Sequence, residues 1–178
     1  MLGFLLRHRA LTVLELLIAL TLIAVVSTAG VPMFRDLVMN TQRRSDLDSL
    51  LGAVDFARST ALTRQTTAVL CQSSDLRTCA DSQTDGKRWI VALPADTGTG
   101  QIAAAPLRQI TLRSAGTVSG NRLAWHFRAF PRHSTNGTLA FCDPRGAEAQ
   151  RAIVISATGR PRLIAPPDVD GFSACQTD

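Results

Sequence analysis

From Leu11 to Phe34 the chain carries a single charged residue, Glu15, in 24 consecutive positions reading LTVLELLIALTLIAVVSTAGVPMF. At about 1.5 Å per residue, such a run spans about 36 Å as a helix, enough to cross a bilayer's hydrocarbon core. A soluble core does not need it. Arg7, His8 and Arg9 precede it, and basic residues beside the first apolar segment stay on the cytoplasmic side, so everything after residue 34 is expected outside the cytoplasm. A secretory signal cut after Ala29, or a plain anchor, also fits the run, but neither explains Glu15. A carboxylate in hydrocarbon is costly unless a cation meets it.

The remainder is one domain's worth of protein. The whole chain has 178 residues, 46% of them hydrophobic and 19% charged, which argues against disorder and against a multi-domain enzyme. Between Arg35 and Arg64 there is no Pro and one Gly, and Leu47, Leu50, Leu51, Val54, Ala57 and Ala61 recur every three or four residues. This is one apolar face of a helix, with Arg43, Arg44, Asp46, Asp48, Asp55 and Arg58 mostly elsewhere. From about Thr66 the pattern changes to short β-prone runs between Gly, Pro, Asn, Asp and Ser clusters. Strands are predicted near 67–71, 88–93, 107–112, 122–127, 138–142 and 151–157, with Asn136-Gly137 as a tight turn leading into 138–142. A long helix followed by antiparallel sheet is an α+β layout. The expected organisation is a leader at 1–10, a membrane and assembly segment at 11–34, an amphipathic half-helix at 35–65 and a β-rich globular domain at 66–178.

Arg7-His8-Arg9-Ala10 followed by Leu11-Thr12-Val13-Leu14-Glu15 resembles the class III leader of type IV pilins and pseudopilins. Ala10 and Leu11 stand where Gly and Phe are usual in that family. The resemblance implies cleavage between Ala10 and Leu11 by a prepilin peptidase, which also methylates the new amine on Leu11. Glu15 becomes the fifth mature residue, pairing with a neighbouring subunit's amine during assembly, and Pro32 becomes the twenty-second, a position where the family has a helix-kinking proline. It also implies a pilin-like fold, a single-pass inner-membrane precursor with its domain in the periplasm, and later incorporation into a fibre with other major and minor pilins.

Four cysteines in an oxidising compartment allow three pairings. Cys71–Cys79 is favoured because it closes a short polar loop, and Cys142–Cys175 because it ties the tail after Pro166-Pro167 to a strand. No CxxC is present, and His126 and His133 have no ligand spacing with the cysteines, so no metal is expected. No cofactor is expected either. Gly116-Thr117-Val118-Ser119-Gly120 has its serine in the wrong place for a nucleophile elbow. Gly98-Thr99-Gly100-Gln101-Ile102-Ala103 matches a dinucleotide fingerprint by chance, since Pro106 breaks the helix such a site requires. Nothing in the sequence marks an enzyme.

Charge is more informative. Residues 11–86 hold 6 Arg and 8 acids, net −2, whereas 106–162 holds 9 Arg against Asp143 and Glu148, net +7. The nine are Arg108, Arg113, Arg122, Arg128, Arg132, Arg145, Arg151, Arg160 and Arg162, and guanidinium forks suit bidentate phosphate contacts. Gly159-Arg160-Pro161-Arg162 follows the strongest predicted strand; Gly159 can turn the chain and Pro161 holds it extended. Arg160 and Arg162 then point to one side, about 7 Å apart. The plainer alternative pairs them with Asp168 or Asp170.

Taken with the leader, the long helix, Cys142 ending a strand and Cys175 near the C-terminus, this GRxR element resembles the GspH/FimT branch of minor pilins. In FimT-type members the motif is associated with DNA binding in natural transformation. The resemblance therefore implies phosphate-directed, salt-sensitive capture of double-stranded DNA by Gly159, Arg160 and Arg162, with Arg128, Arg132, Arg113 and Lys87 as further candidates. The rival expectation is a structural FimU- or GspH-like subunit that primes a type IV pilus or a type II secretion pseudopilus and binds only other pilins.

Overall fold

The apolar run and the amphipathic stretch form one helix, α1, from Val13 to Arg64. The computed structural model describes residues 12–95, 102–129, 133–165 and 175. Thr12 stands just before α1, and its hydroxyl accepts a hydrogen bond from the Glu15 amide at 3.2 Å. Thr12-Val13-Leu14-Glu15 is thus a Thr-x-x-Glu helix start, with the carboxylate in the first turn where it complements the helix dipole. The proposed cut at Ala10/Leu11 lies outside the described residues. Pro32 sits within α1, which continues past it.

The chain divides into two compact units, Met1–Asn40 and Thr41–Asp178. In the first, the described apolar side chains from Val13 to Val38 are exposed along the helix, and α1 is long and apolar enough to cross a membrane. The second begins well before Thr66 because the outer part of α1 forms its centre. Leu47, Leu50, Val54, Ala57 and Ala61 are buried there as their spacing predicts, together with Ala53, while Leu51 packs half-buried at the margin.

Among the described residues, eight strands in two antiparallel sheets surround that apolar face. β1 (Ala68–Gln72), β2 (Arg88–Ala92), β3 (Arg108–Thr111) and β5 (Ala124–Phe127) pair in the order β3-β2-β1-β5. β4 (Thr117–Gly120), β6 (Gly137–Cys142), β7 (Arg151–Ile155) and β8 (Pro161–Ile164) pair in the order β4-β6-β7-β8. One main core collects Leu70, Trp89, Val91, Trp125 and Phe127 from the first sheet and Val118, Leu139, Phe141, Ile153 and Ile155 from the second. The alternate residues of the first sheet, Val69, Cys71, Ile90 and Ala92, form a smaller cluster with Leu76, Cys79, Ile102 and Ala124. With both its faces covered, β1 is buried along its whole length.

The two sheets meet where Gly86 passes β4. Gly86 has φ +66°, and a Cβ there would lie 2.1 Å from the Val118 carbonyl oxygen, a clash only glycine avoids. Buried Gln72 joins the same place: its amide donates to Val118 O at 3.1 Å, and its carbonyl accepts from the Thr84 amide at 2.8 Å. Cys71–Cys79 and Cys142–Cys175 are both bonded.

The α+β, pilin-like layout expected from the sequence is the one observed, with three differences in detail. β4 falls in the segment weighed as a nucleophile elbow, and β8 falls in the stretch read as an extended loop, so neither was expected as a strand. Asn136-Gly137 is not a two-residue hairpin turn, because β5 and β6 lie in different sheets with residues 128–136 between them. Asn136 instead accepts on its carbonyl from Arg122 Nε at 2.7 Å, and the Thr138 amide donates to Asn121 Oδ1 at 3.0 Å.

Candidate functional site

The β7–β8 connection is a tight hairpin. The Gly159 amide donates to Ser156 O at 2.8 Å, and the Ser156 amide donates to Arg160 O at 3.1 Å. Gly159 has φ +73°, the left-handed residue that ends such a turn and returns the chain to the ladder. The Ser156 hydroxyl braces the turn from inside, accepting from the Arg160 amide at 3.2 Å and lying 2.9 Å from Thr158 Oγ1. Gly159 is itself buried, and a Cβ on it would sit 3.1 Å from both the Phe127 ring and the Ser134 hydroxyl.

Register decides where the two arginines face. Arg162 stands opposite Val154 and Pro161 opposite Ile155, whose side chain is in the core. Side chains alternate along a strand, so Arg162 points away from the core, and Arg160, two residues earlier, lies on the same outer side. Both are exposed. Neither guanidinium has a hydrogen bond or ion pair to another described residue. Asp168 and Asp170, the partners the plainer alternative requires, lie outside the described residues.

Two further arginines meet this turn. The Ser134 amide donates to Ala157 O at 2.9 Å, and the Ser134 hydroxyl accepts from the Arg128 amide at 3.2 Å. Arg128 follows β5 and sends Nη1 to His133 O at 3.2 Å, so its charge is held beside the hairpin. Burial, then the nearby Arg128 charge, push the pKa of the His126 imidazole below its ordinary value. Arg58 approaches from α1: its Nε donates to Thr158 O at 3.1 Å. Arg58 was not among the expected site residues. Its signal was its place at the border of the apolar face, four residues after Val54 and three before Ala61.

The other candidates go elsewhere. Lys87 Nζ donates to Ser114 O at 2.7 Å and to Gly116 O, so it ties down the 114–116 loop. Arg113 is exposed, but its amide and that of Ser114 donate to the buried Asp46 carboxylate at 2.8–3.2 Å. Asp46 and Arg58 are twelve residues apart on α1, about 18 Å of helix, so Arg113 and Lys87 do not share the hairpin's surroundings. Arg132 lies outside the described residues. Of the remaining excess, Arg108 donates to Gly52 O at 3.0 Å and lies over the Phe56 ring, and Arg151 donates to Glu148 O at 2.9 Å. Arg145 pairs with Asp143 at 2.7 Å, and its hydrogen bonds hold that carboxyl below the usual range.

A family model described as Type II transport protein GspH matches residues 46–159, from the Asp46 that caps the 113–114 amides to the glycine of the hairpin. The chain belongs to the GspH family. It is therefore a minor pilin or pseudopilin of a type IV pilus or type II secretion system. Two crystal structures of the type IV minor pilin FimU from Pseudomonas aeruginosa resemble this GspH member in fold. They have 23% and 24% identity and TM-scores of 0.53 and 0.54, covering 68% of this chain and 91% and 87% of those chains. The minor pseudopilin EpsH from the type 2 secretion system of Vibrio cholerae aligns at 16% identity and a TM-score of 0.46, covering 68% of this chain and 94% of that one. No curated protein sequence matches. The GspH match ends at Gly159, so Arg160 and Arg162 stand just beyond it. An apolar N-terminal helix in a member of this family fits membrane anchoring with a periplasmic domain.

Proposed function

We propose that this GspH-family subunit is a minor pilin that binds double-stranded DNA for uptake through the β7–β8 hairpin. The observation that carries the reading is the pair Arg160 and Arg162, exposed on one side of a braced turn with no described partner. Gly159 sets the turn, and Arg128 adds a third guanidinium held nearby. Such a group neutralises backbone phosphates and reads no bases. Trp125 and Phe127 behind it are fully buried, so neither offers a platform for unstacked bases. Binding is accordingly independent of sequence and falls with salt, by about 0.9 in log K per log unit of salt for each phosphate neutralised.

Assembly on this reading begins in the inner membrane. A prepilin peptidase cuts between Ala10 and Leu11 and methylates the Leu11 amine. Glu15 then meets the amine of a neighbouring major or minor pilin, which relieves its cost in the apolar segment. Pro32 bends the helix within the fibre.

The test is a mobility shift of the full chain in mild detergent, disulfides intact, against unrelated DNA duplexes at low and moderate salt. Arg160→Ala/Arg162→Ala is expected to fold normally and lose salt-dependent binding, and in cells to lose transformation while fibres persist. Wild-type protein that fails to bind at low salt, or a double variant that also loses its fibres, returns the subunit to a structural role.

A further inference from the structure

The hairpin is anchored from outside itself by one side chain of the long helix. Arg58 Nε donates to Thr158 O at 3.1 Å, and the Arg58 Cδ would be 3.4 Å from a Cβ on Gly159. Thr158 is a central residue of the turn, between the Ser156 carbonyl that accepts from Gly159 and the arginine pair. We infer that Arg58 is a positioning residue for the DNA-binding hairpin: its Nε–H fixes the Thr158 carbonyl, and so the direction in which Arg160 and Arg162 leave the turn. The inference rests on the DNA-binding reading for its functional consequence, although not for the contact itself.

The chemistry separates positioning from direct contact. The hydrogen bond made by the Arg58 Nε immobilises a turn whose own hydrogen bonds span only five residues. That lowers the conformational freedom the arginines lose on meeting phosphate. A residue that touched phosphate would act through its charge instead. Gln carries a nitrogen three bonds beyond Cβ, the same place along the chain as the Nε of Arg, so Arg58→Gln keeps the donor and discards the charge. Arg58→Met keeps the bulk of the stem and discards both.

Full-length protein in mild detergent is compared as wild type, Arg58→Gln, Arg58→Met and Arg160→Ala/Arg162→Ala. Amide hydrogen exchange at Ser156 and Gly159, without DNA, is expected to match wild type in the Gln variant and to quicken in the Met variant. Duplex affinity is expected to fall about fivefold in the Met variant, the scale of one hydrogen bond, and to stay within about twofold in the Gln variant. The salt slope stays at the wild-type value in both, because the number of phosphates met is unchanged. Should Arg58→Met fail to fold, the Gln variant alone decides through its exchange rates and salt slope.

Two results overturn the inference. One is a Gln variant as weak as the Met variant with a slope reduced by about 0.9, which makes Arg58 a phosphate contact. The other is wild-type exchange and affinity in Arg58→Met. Wild-type affinity in Arg160→Ala/Arg162→Ala removes the DNA-binding reading instead, and the exchange data still report whether Arg58 holds the turn.

Discussion

Gly159 concentrates two requirements in one residue. Its φ of +73° disfavours any side chain, and the space where a Cβ would go is already bordered by Phe127 and Ser134 at 3.1 Å. Gly159→Ala is therefore expected to destabilise the domain by about 1–2 kcal/mol, from the left-handed backbone cost alone, as an earlier urea midpoint at unchanged slope. An unchanged midpoint would show that the turn can refold around the methyl group. Gly159 was legible in the sequence because a turn is a local object: a strand-like run, then Gly, then Pro. Arg160 and Arg162 were legible for the same reason. Arg58 was not, since the carbonyl it holds is 100 residues away in the chain. Lys87, a further candidate in the sequence, shows the same limit: the Ser114 and Gly116 carbonyls to which it donates lie 27 and 29 residues away in the chain.

Elements were legible to the degree that their pattern was longer than their noise. The buried face of α1 recurs over about four turns, from Leu47 to Ala61, and the six predicted strand runs carry enough β-branched and aromatic residues to stand out. β4 has only Thr117-Val118-Ser119-Gly120, and β8 opens on a proline that cannot donate to a ladder, so each is a strand only because a neighbour pairs with it. The disulfides divide their work between these elements. Cys71–Cys79 closes 8 residues beside β1, whereas Cys142–Cys175 closes 33 and ties the end of β6 to the tail. By the chain-entropy model the first is worth about 2.5 kcal/mol and the second about 3.7 kcal/mol. Replacing each pair by Ala is expected to lower stability in that order, with Cys142→Ala/Cys175→Ala the more damaging in a urea titration. The reverse order would mean that the short loop's packing over Ile90 and Ala92 matters more than chain entropy.

At the scale of the whole molecule the arginine excess dissolves into separate jobs. Arg108, Arg122 and Arg151 serve carbonyls and Arg145 serves Asp143, so a net charge of +7 over residues 106–162 does not by itself make a binding surface. What distinguishes the hairpin is that its two guanidiniums are presented by a rigid turn and engaged by no described residue. Arg113 supplies the control, because it is exposed and carries the same charge but sits about 18 Å of helix away. If binding is local to the hairpin, Arg113→Ala leaves the salt slope unchanged and shifts affinity within about twofold, while Arg160→Ala/Arg162→Ala loses salt-dependent binding. Lys87→Met is expected to behave differently from both: the 114–116 loop loses its clamp, so stability falls and the slope stays. A slope that drops by about 0.9 in Arg113→Ala as well would instead describe a track along the domain, with duplex DNA lying across both ends of the outer helix rather than at one turn. The geometry favours the local outcome, because Arg160 and Arg162 lie two residues apart on the outer side of the hairpin, about 7 Å by strand geometry.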